Sequence, residues 1–145
     1  IRNIPNKYTQ QMLLEEVNCT HQGTYDFFYL PIDFKNSCNV GYGFISFLQT
    51  EANSESDTDT SASTSTGANI HSFVSRFSGS KWKLFNSEKV CDVTWARIQS
   101  KHAMVVRFQN SSLLEKHNVY RPLLFHSDGP SKGEPEPFPL GSRYN

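Results

Sequence analysis

Two aromatic side chains separated by a single residue stand out in the segment 40–47, which reads VGYGFISF. Successive side chains of a β-strand point to opposite faces, so Tyr42 and Phe44 share one face while Ile45 and Phe47 share the other. One of these faces supplies a core and the other displays two rings to solvent. Because exposed aromatic surface is unfavourable in water, neighbouring rings on a sheet usually stack on flat ligands such as unpaired nucleobases. The spacing therefore predicts a stacking site.

The same segment matches seven of the eight positions of the RNP1 signature of an RNA recognition motif. The mismatch is Val40, which stands where the signature has a basic residue, so we expect one phosphate contact to be missing. Residues 1–5 resemble the end of the companion RNP2 strand, and the two signatures occur in the required order. An ordinary buried strand is the alternative interpretation, since short apolar runs with glycine are common in sheets.

The elements around these strands follow the order strand, helix, strand, strand, helix, strand. This order predicts an α+β, ferredoxin-like RNA recognition motif: a four-stranded antiparallel sheet backed by two helices, with an additional carboxy-terminal helix and tail. Thr9 is expected to cap the first helix, over residues 10–17, and residues 68–77 are expected to form the second. In that second helix we expect Ile70, Phe73, Val74 and Phe77 to be core residues.

The strand predicted over residues 25–33 also carries aromatic side chains on the ligand side. Its alternation places Phe28 towards the helices and Phe27 and Tyr29 on the opposite face, where they would extend the stacking platform. Pro31 lacks a backbone N–H, which favours an edge position for this strand.

A fourth strand is predicted over residues 90–97, with Trp95 facing the helices and Thr94 and Ala96 on the ligand side. Arg97 would leave the strand end close to that side. A third helix, predicted over residues 98–109, has two possible placements: across the sheet face, or beside the fourth strand as a support. Core packing by its apolar side favours the second placement. The tail from residue 126 is rich in Pro and Gly and is expected to be irregular.

The length of 145 residues fits one domain, which we divide into an RNA recognition motif over 1–97 and an extension over 98–145 packed on it. Residues 51–67 are rich in Ser and Thr and are expected to form a disordered insert, either an inert linker or a phosphorylated regulator of RNA binding. The formal charge is zero, with 14 basic and 14 acidic residues. Because the insert holds acidic residues and no basic ones, the remaining chain is modestly basic, which suits a phosphate backbone.

The remaining composition argues against several classes of function. Three cysteines without CxxC spacing and five scattered histidines predict no disulfide framework, no metal site, no cofactor and no catalysis. No apolar run approaches the ~18 residues of a membrane span, so we expect no membrane partner.

Several short motifs together resemble the carboxy-terminal RNA recognition motif of the Mei-two-like family of meiosis inducers and plant developmental regulators. They are residues 3–8 (NIPNKY), 25–30 (YDFFYL), 39–44 (NVGYGF), 96–99 (ARIQ), 108–111 (FQNS) and 121–130 (RPLLFHSDGP). The resemblance implies single-stranded RNA binding by the sheet, no catalysis, and a nuclear or cytoplasmic role in meiotic or developmental RNA regulation. The RNA contacts that it carries over are Tyr42, Phe44, Arg2, Thr94, Ala96 and Arg97.

We expect the domain to be monomeric, with protein partners possible. The alternative function is a protein-interaction module of the same fold, in which the carboxy-terminal helix or a partner covers the sheet.

Overall fold

The structure is a computed structural model that describes residues 1–48, 65–115 and 120–139. Three α-helices are present among these residues: α1 (Gln10–His21), α2 (Ser65–Phe77) and α3 (Lys101–Phe108). The strands are β1 (Tyr25–Tyr29), β2 (Ile32–Asp33), β3 (Cys38–Asn39), β4 (Phe44–Phe47), β5 (Leu123–Phe125) and β6 (Pro135–Glu136). A short 3-10 turn, Ser112–Glu115, follows α3.

The main sheet is antiparallel, with the strand order β4-β1-β5-β6. Beyond β4 the pairing continues through single bridges, from Tyr42 to Arg2 and from Arg2 to Asp92. The Arg2 amide donates to the Asp92 carbonyl over 2.7 Å, and Asp92 returns a bond of 3.3 Å. The α+β fold class is therefore confirmed, with the first and fourth strands of the motif each reduced to a bridge among the described residues.

The segment 25–29 is a central strand, and the prediction of an edge position was wrong. β1 pairs with β4 on one side and with β5 on the other, while Pro31 lies just after β1 and interrupts no ladder. A four-stranded motif would leave this strand at an open edge. Here β5, almost a hundred residues later in the chain, pairs with that edge. Such long-range pairing leaves no local mark in the sequence.

Helix α1 begins where the sequence predicts and ends four residues later than predicted. The Thr9 side chain accepts a hydrogen bond from the Met12 amide over 3.1 Å, which confirms the N-cap. Leu13 and Val17 are buried, and His21 ends the helix in contact with the rings of Phe73 and Phe77. α2 begins at Ser65, so residues 65–67 of the predicted insert are helical, while residues 51–64 lie outside the described part of the chain.

A first core lies between one face of the sheet and helices α1 and α2. Phe73 and Phe77 are fully or nearly buried there, whereas Val74 is 36% exposed and was wrongly placed in the core. Trp82 is also a core residue: it is 5% exposed and its indole N–H donates to the Asn3 carbonyl over 2.8 Å. This core fixes residues 1–4, which hold Arg2 between Tyr42 and Asp92 on the ligand side of the sheet.

A second core lies on the opposite face of the sheet, under α3. Its buried members are Phe27, Tyr29, Met104 and Leu124. Val105 and Phe108 of α3 also pack against it. The helix therefore lies across the sheet over β1 and β5, and the favoured prediction that it supports the fourth strand from the side was wrong.

A polar cluster fixes the carboxy-terminal extension beside α3. The Lys101 ammonium donates to the Phe125 carbonyl over 2.8 Å and to the Ser127 hydroxyl over 3.1 Å, and it lies 2.9 Å from the Glu136 carboxylate. Glu136 belongs to β6, which pairs with β5, so part of the tail predicted to be irregular is a strand. The first turn of α3 is thereby connected to the outer edge of the sheet.

Candidate nucleic-acid interface

The open part of the ligand-side face is a row of three side chains on neighbouring strands. Asp92, Arg2 and Tyr42 lie directly opposite one another in the ladder, so their side chains point to the same face. The Arg2 guanidinium is 3.6 Å from the Asp92 carboxylate, and both side chains are about half exposed to solvent, at 60% and 45%. Because this ion pair is long and exposed to solvent, it holds the Arg2 guanidinium only weakly, and the guanidinium is able to contact a phosphate.

Tyr42 and Phe44 form the predicted pair of rings. Their centroids are 5.8 Å apart and their planes meet at 83°, an edge-to-face contact. Tyr42 is 47% exposed, while Phe44 is half-buried because it packs against the second core. The two rings therefore present surfaces at different angles, and less of the Phe44 ring is accessible.

The backbone before Tyr42 is held rigidly by a buried amide side chain. Asn39 donates to the carbonyls of Pro5 and Tyr8 over 2.8 and 3.0 Å, and its side-chain oxygen accepts from the Gly41 amide over 2.8 Å. All of its hydrogen-bonding atoms thus face backbone groups in the interior. Gly41 has φ +95, a conformation that favours glycine, and so turns the chain into the strand that displays Tyr42.

A glycine between the two rings permits close strand pairing. A Cβ atom at Gly43 would lie 3.0 Å from the carbonyl oxygen of Tyr29. The Gly43 amide also donates to the carbonyl of Ile1 over 2.9 Å. Glycine at this position therefore lets the strand that displays the rings fit between β1 and residues 1–4.

Phe27 and Tyr29 do not extend the exposed platform, which corrects the prediction for both residues. Phe27 is 0% exposed and Tyr29 is 6% exposed, because α3 covers them. The Tyr29 ring makes an edge-to-face contact with Phe108 at 5.2 Å. Burial also raises the pKa of Tyr29 to about 12, so its hydroxyl is neutral. These rings serve the core.

The segment after Asp92 leaves the sheet and crosses towards α3. Thr94 is exposed and Ala96 is half-buried, and both line the same groove as Tyr42 and Phe44. Arg97 is exposed but does not line that groove. Trp95 is 76% exposed, so its predicted place in the core was wrong.

These residues border a groove of about 1080 Å³ beside Ile1, between β4 and residues 93–101, which Ile70 and Val74 of α2 also line. Its lining includes the basic residues Arg2, Lys101 and Lys132 and the acidic residues Asp26 and Asp128. Three cationic groups against two carboxylates make the groove only weakly basic. Strong attraction for phosphates at a distance is therefore not expected, and affinity must come mainly from short-range contacts.

Asp26 is a buried carboxyl group in the wall of this groove that the sequence did not single out. It is 9% exposed, and one of its oxygens accepts from the Ser127 hydroxyl over 3.0 Å. Burial raises the pKa of Asp26, while Ser127 and the nearby Lys101 act in the opposite direction. The group connects β1 to the segment after β5.

Across residues 1–48, 65–115 and 120–139, no group of three or more His, Cys, Asp or Glu side chains is arranged to hold a metal ion. In the same ranges, no helix combines the length and the apolar character needed to cross a bilayer.

Comparison with known proteins places these features in a family. The family model for RNA recognition motif 2 matches residues 1–57 and 63–109. Rice "Protein MEI2-like 4" is 50% identical over 142 residues, which is 98% of this chain and 12% of the relative. Arabidopsis thaliana "Protein MEI2-like 1" is 51% identical over 142 residues, 98% of this chain and 14% of the relative.

A fungal relative shows the same pattern. Schizosaccharomyces pombe "Meiosis protein mei2" is 43% identical over 139 residues, covering 96% of this chain and 16% of the relative. The chain thus spans less than a fifth of the length of each of these proteins.

Proposed function

This chain belongs to the RNA recognition motif 2 family and resembles the Mei2-like proteins over nearly its whole length, and from that premise we propose that it binds single-stranded RNA by stacking bases on Tyr42 and Phe44. The observation that carries the proposal is the edge-to-face pair of exposed Tyr42 and half-buried Phe44 beside the solvent-accessible Arg2 guanidinium. Rings supply sequence-tolerant stacking, and the guanidinium supplies a phosphate contact or a second planar surface.

Single-stranded RNA fits this site better than a duplex. The bases of an A-form duplex are stacked on one another, and their faces are closed to a protein ring. The groove beside the rings is bordered by the polar side chains of Thr94, Gln99, Ser100 and Lys101, which we propose as contacts to base edges. Thr94 and Ala96 are the proposed contacts on this side, and Arg97 is proposed to contact phosphate nearby.

The biological process is proposed from the relatives. Their names refer to meiosis and to the Mei2-like group, and we propose a role in meiotic or developmental RNA regulation in the nucleus or cytoplasm. The proposed molecular role is binding without catalysis.

The test uses labelled short single-stranded RNA oligonucleotides, with the same sequences annealed as duplexes for comparison. Loss of one stacked base is worth about 1 to 3 kcal/mol, so we expect Tyr42→Ala to weaken binding roughly tenfold to hundredfold. Phe44→Leu is the matching variant at the second ring, since leucine keeps the apolar contact with the core but has no flat face. Phe34→Ala, at a ring of similar exposure (44%) in the β2–β3 turn, is the control and should bind normally.

Unchanged RNA affinity in folded Tyr42→Ala and Phe44→Leu proteins, or no binding of single strands by the wild type, would refute the proposal. Circular dichroism of each variant establishes that it is folded. Equal binding of duplex and single strand would also count against stacking, because the duplex keeps its base faces closed.

A protein-interaction module is the second candidate, favoured by one observation: α3 covers Phe27 and Tyr29, half of the aromatic surface that the sequence places on this face. A covered sheet has less area for bases. The RNA titration separates the two candidates, because a module that binds only protein should show no saturable change with any single-stranded oligonucleotide.

A further inference from the structure

We propose that the hairpin of residues 81–90 is a docking site for an acidic protein segment that carries an apolar anchor side chain. This hairpin, which we call the basic hairpin, follows α2, and its two ends pair through a bridge from Lys81 to Val90. Its tip displays Leu84 and Phe85, which are 40% and 46% exposed. Neighbouring exposed apolar side chains with a polar rim are typical of protein-interaction sites.

The frame of the basic hairpin is fixed by buried polar groups. The Leu84 amide donates to the Tyr8 hydroxyl over 3.0 Å, and the Lys83 amide donates to the Glu16 carboxylate over 3.3 Å. Tyr8 and Glu16 are both buried, and the Tyr8 hydroxyl donates to the same carboxylate. Because the tip is already held in one position, a partner that binds it has little conformational entropy to remove.

The tip has a backbone conformation that disfavours one of its residues. Phe85 and Asn86 have φ +66 and φ +45, both in the left-handed region. Asparagine adopts this region readily, whereas a bulky side chain rarely does. Packing gives Phe85 only partial compensation, because its ring is nearly half exposed and meets Tyr8 edge-to-face at 5.6 Å. Backbone strain at an exposed ring therefore points to a functional contact.

The basic hairpin lies away from the proposed RNA site. Arg2 pairs antiparallel with Asp92, so positions preceding Ile1 would continue along residues 94–96, in the direction opposite to the hairpin. The tip is bonded to Glu16 of α1 and therefore lies on the helix side of the sheet. A partner bound there would leave the face that carries the Tyr42 and Phe44 rings open.

The charges of the basic hairpin indicate the chemistry of the partner. Three cations stand against one carboxylate among its exposed side chains, which are Lys81, Lys83, Lys89 and Glu88. A segment with carboxylates beside its anchor would be attracted and oriented by these cations. Leu84 has no flat face for a nucleobase, so the apolar part of the tip fits a protein side chain better than a base.

Two other occupants fit the tip less well. Residues 51–64 of this chain are acidic but contain no large apolar side chain, so they have no anchor for Leu84 and Phe85. A second copy of the chain, in a symmetric contact, would bring the lysines of both hairpins together. Repulsion between like charges opposes that contact. The proposed partner is therefore a segment of another protein.

The test selects ligands from a phage-displayed library of random peptides, with soluble Phe85→Asn protein as the competitor. We expect the selected peptides to combine an aromatic or aliphatic residue with several Asp or Glu residues. Synthetic copies, measured by fluorescence anisotropy, should bind Phe85→Asn at least about tenfold more weakly than wild type. Asparagine tolerates the left-handed backbone, so this variant keeps the turn.

Three further variants test the same peptides. Leu84→Ser should also weaken binding, and it leaves the Leu84 amide free to hold the frame. Lys83→Gln should weaken binding and reduce its dependence on salt, because one attractive charge is lost. Val106→Ala, at an exposed apolar side chain (54%) on α3, is the matched control and should bind the peptides normally.

Thermal unfolding separates docking from packing. Phe85→Asn should unfold close to the wild-type midpoint, because relief of backbone strain offsets the lost contact with Tyr8. A clearly lower midpoint would show that the ring stabilises the fold, and the proposal would be overturned.

Three binding results would also overturn the proposal: no selected peptide distinguishes wild type from Phe85→Asn, the tip variants weaken RNA binding, or the wild type self-associates through the tip in sedimentation. If the selected peptides depend on Phe85 while single-stranded RNA does not bind, the docking site stands and the proposed RNA function fails.

Discussion

The packing of α3 across the sheet makes a quantitative prediction about Met104. This side chain is 4% exposed and lies against Phe27, Tyr29 and Leu124. Core substitutions of methionine by alanine cost about 2 to 5 kcal/mol, depending on how far the neighbours close the void. Among the described residues the second core has four buried members and the first has twelve, so the second should relax more easily around a void. We therefore expect a loss near the lower end, about 2 to 3 kcal/mol.

Urea denaturation followed by circular dichroism measures this loss. With a slope of about 1 to 3 kcal/mol per molar urea, Met104→Ala should lower the unfolding midpoint by roughly 1 M. Val106→Ala is the matched control on the same helix, because Val106 is 54% exposed and alanine has the higher helix propensity. The free energy of unfolding of Val106→Ala should stay within about 0.5 kcal/mol of the wild-type value.

Equal midpoints for the two variants would show that α3 is not part of the cooperative fold. In that case α3 would be a detachable cover, and Met104→Ala should bind RNA more tightly because Phe27 and Tyr29 become available. We expect the opposite result: a clear loss of stability for Met104→Ala, and no gain in RNA affinity in the absence of urea, where the variant is folded.

Three further predictions concern polar groups of the interior. Lys101→Met should lower the free energy of unfolding by about 1 to 3 kcal/mol, since two acceptors and a carboxylate lose their ammonium partner, and adding Glu136→Gln should recover part of it in thermal melts. Asn39→Asp should be more destabilising than Asn39→Ala in urea, because a carboxylate would face the two carbonyls that the amide now serves; the reverse order would contradict this. Burial, with repulsion from Arg76, lowers the pKa of His21 in the folded protein. The stability that comes from keeping His21 neutral is therefore fully present above the pKa of histidine in the unfolded chain, and it is lost as the pH falls through the lower pKa of the folded protein. The unfolding midpoint should therefore fall below neutral pH more steeply in the wild type than in His21→Gln.

The local elements of the fold were predictable because their signals are local. The Thr9 cap, the buried face of α1 and the spacing of Tyr42 and Phe44 each depend on a few neighbouring residues, and each lies where the sequence predicts. The partners of the carboxy-terminal extension were not predictable in the same way. An apolar side on α3 requires burial, but it does not say which face of the sheet provides it.

One signal in the sequence did point to the covered face. Residues 25–29 read YDFFY and all five are buried, with rings on both sides of the strand. Strands of this composition are typical of sheets that are covered on both faces, whereas a strand with one wet face alternates with polar residues. The run of three aromatic residues from Phe27 to Tyr29, with no polar residue between them, therefore indicates a strand covered on both faces and not a set of ligand contacts.

Trp95 shows why the period of a pattern is informative only while the ladder lasts. Cys91 and Val93 follow the predicted alternation and face the first core, since pairing with residues 1–4 holds them there. After Asp92 no described ladder bond constrains the chain, and the side chain two residues beyond Val93 faces solvent. Alternation places a side chain only where a partner strand is paired with it, and the register of Arg2 with Asp92 leaves no residue of this sequence opposite Trp95.

The covered and open parts of the face together limit how RNA would bind in the proposed mode. With Phe27 and Tyr29 under α3, a strand of RNA has the platform only from Phe44 towards Asp92, so fewer bases stack on the sheet than on a fully open motif. The groove is also only weakly basic, which limits the contribution of phosphate contacts. Affinity lost from both sources must therefore come from the contacts that remain, which in the proposed mode are Tyr42, Phe44 and Arg2.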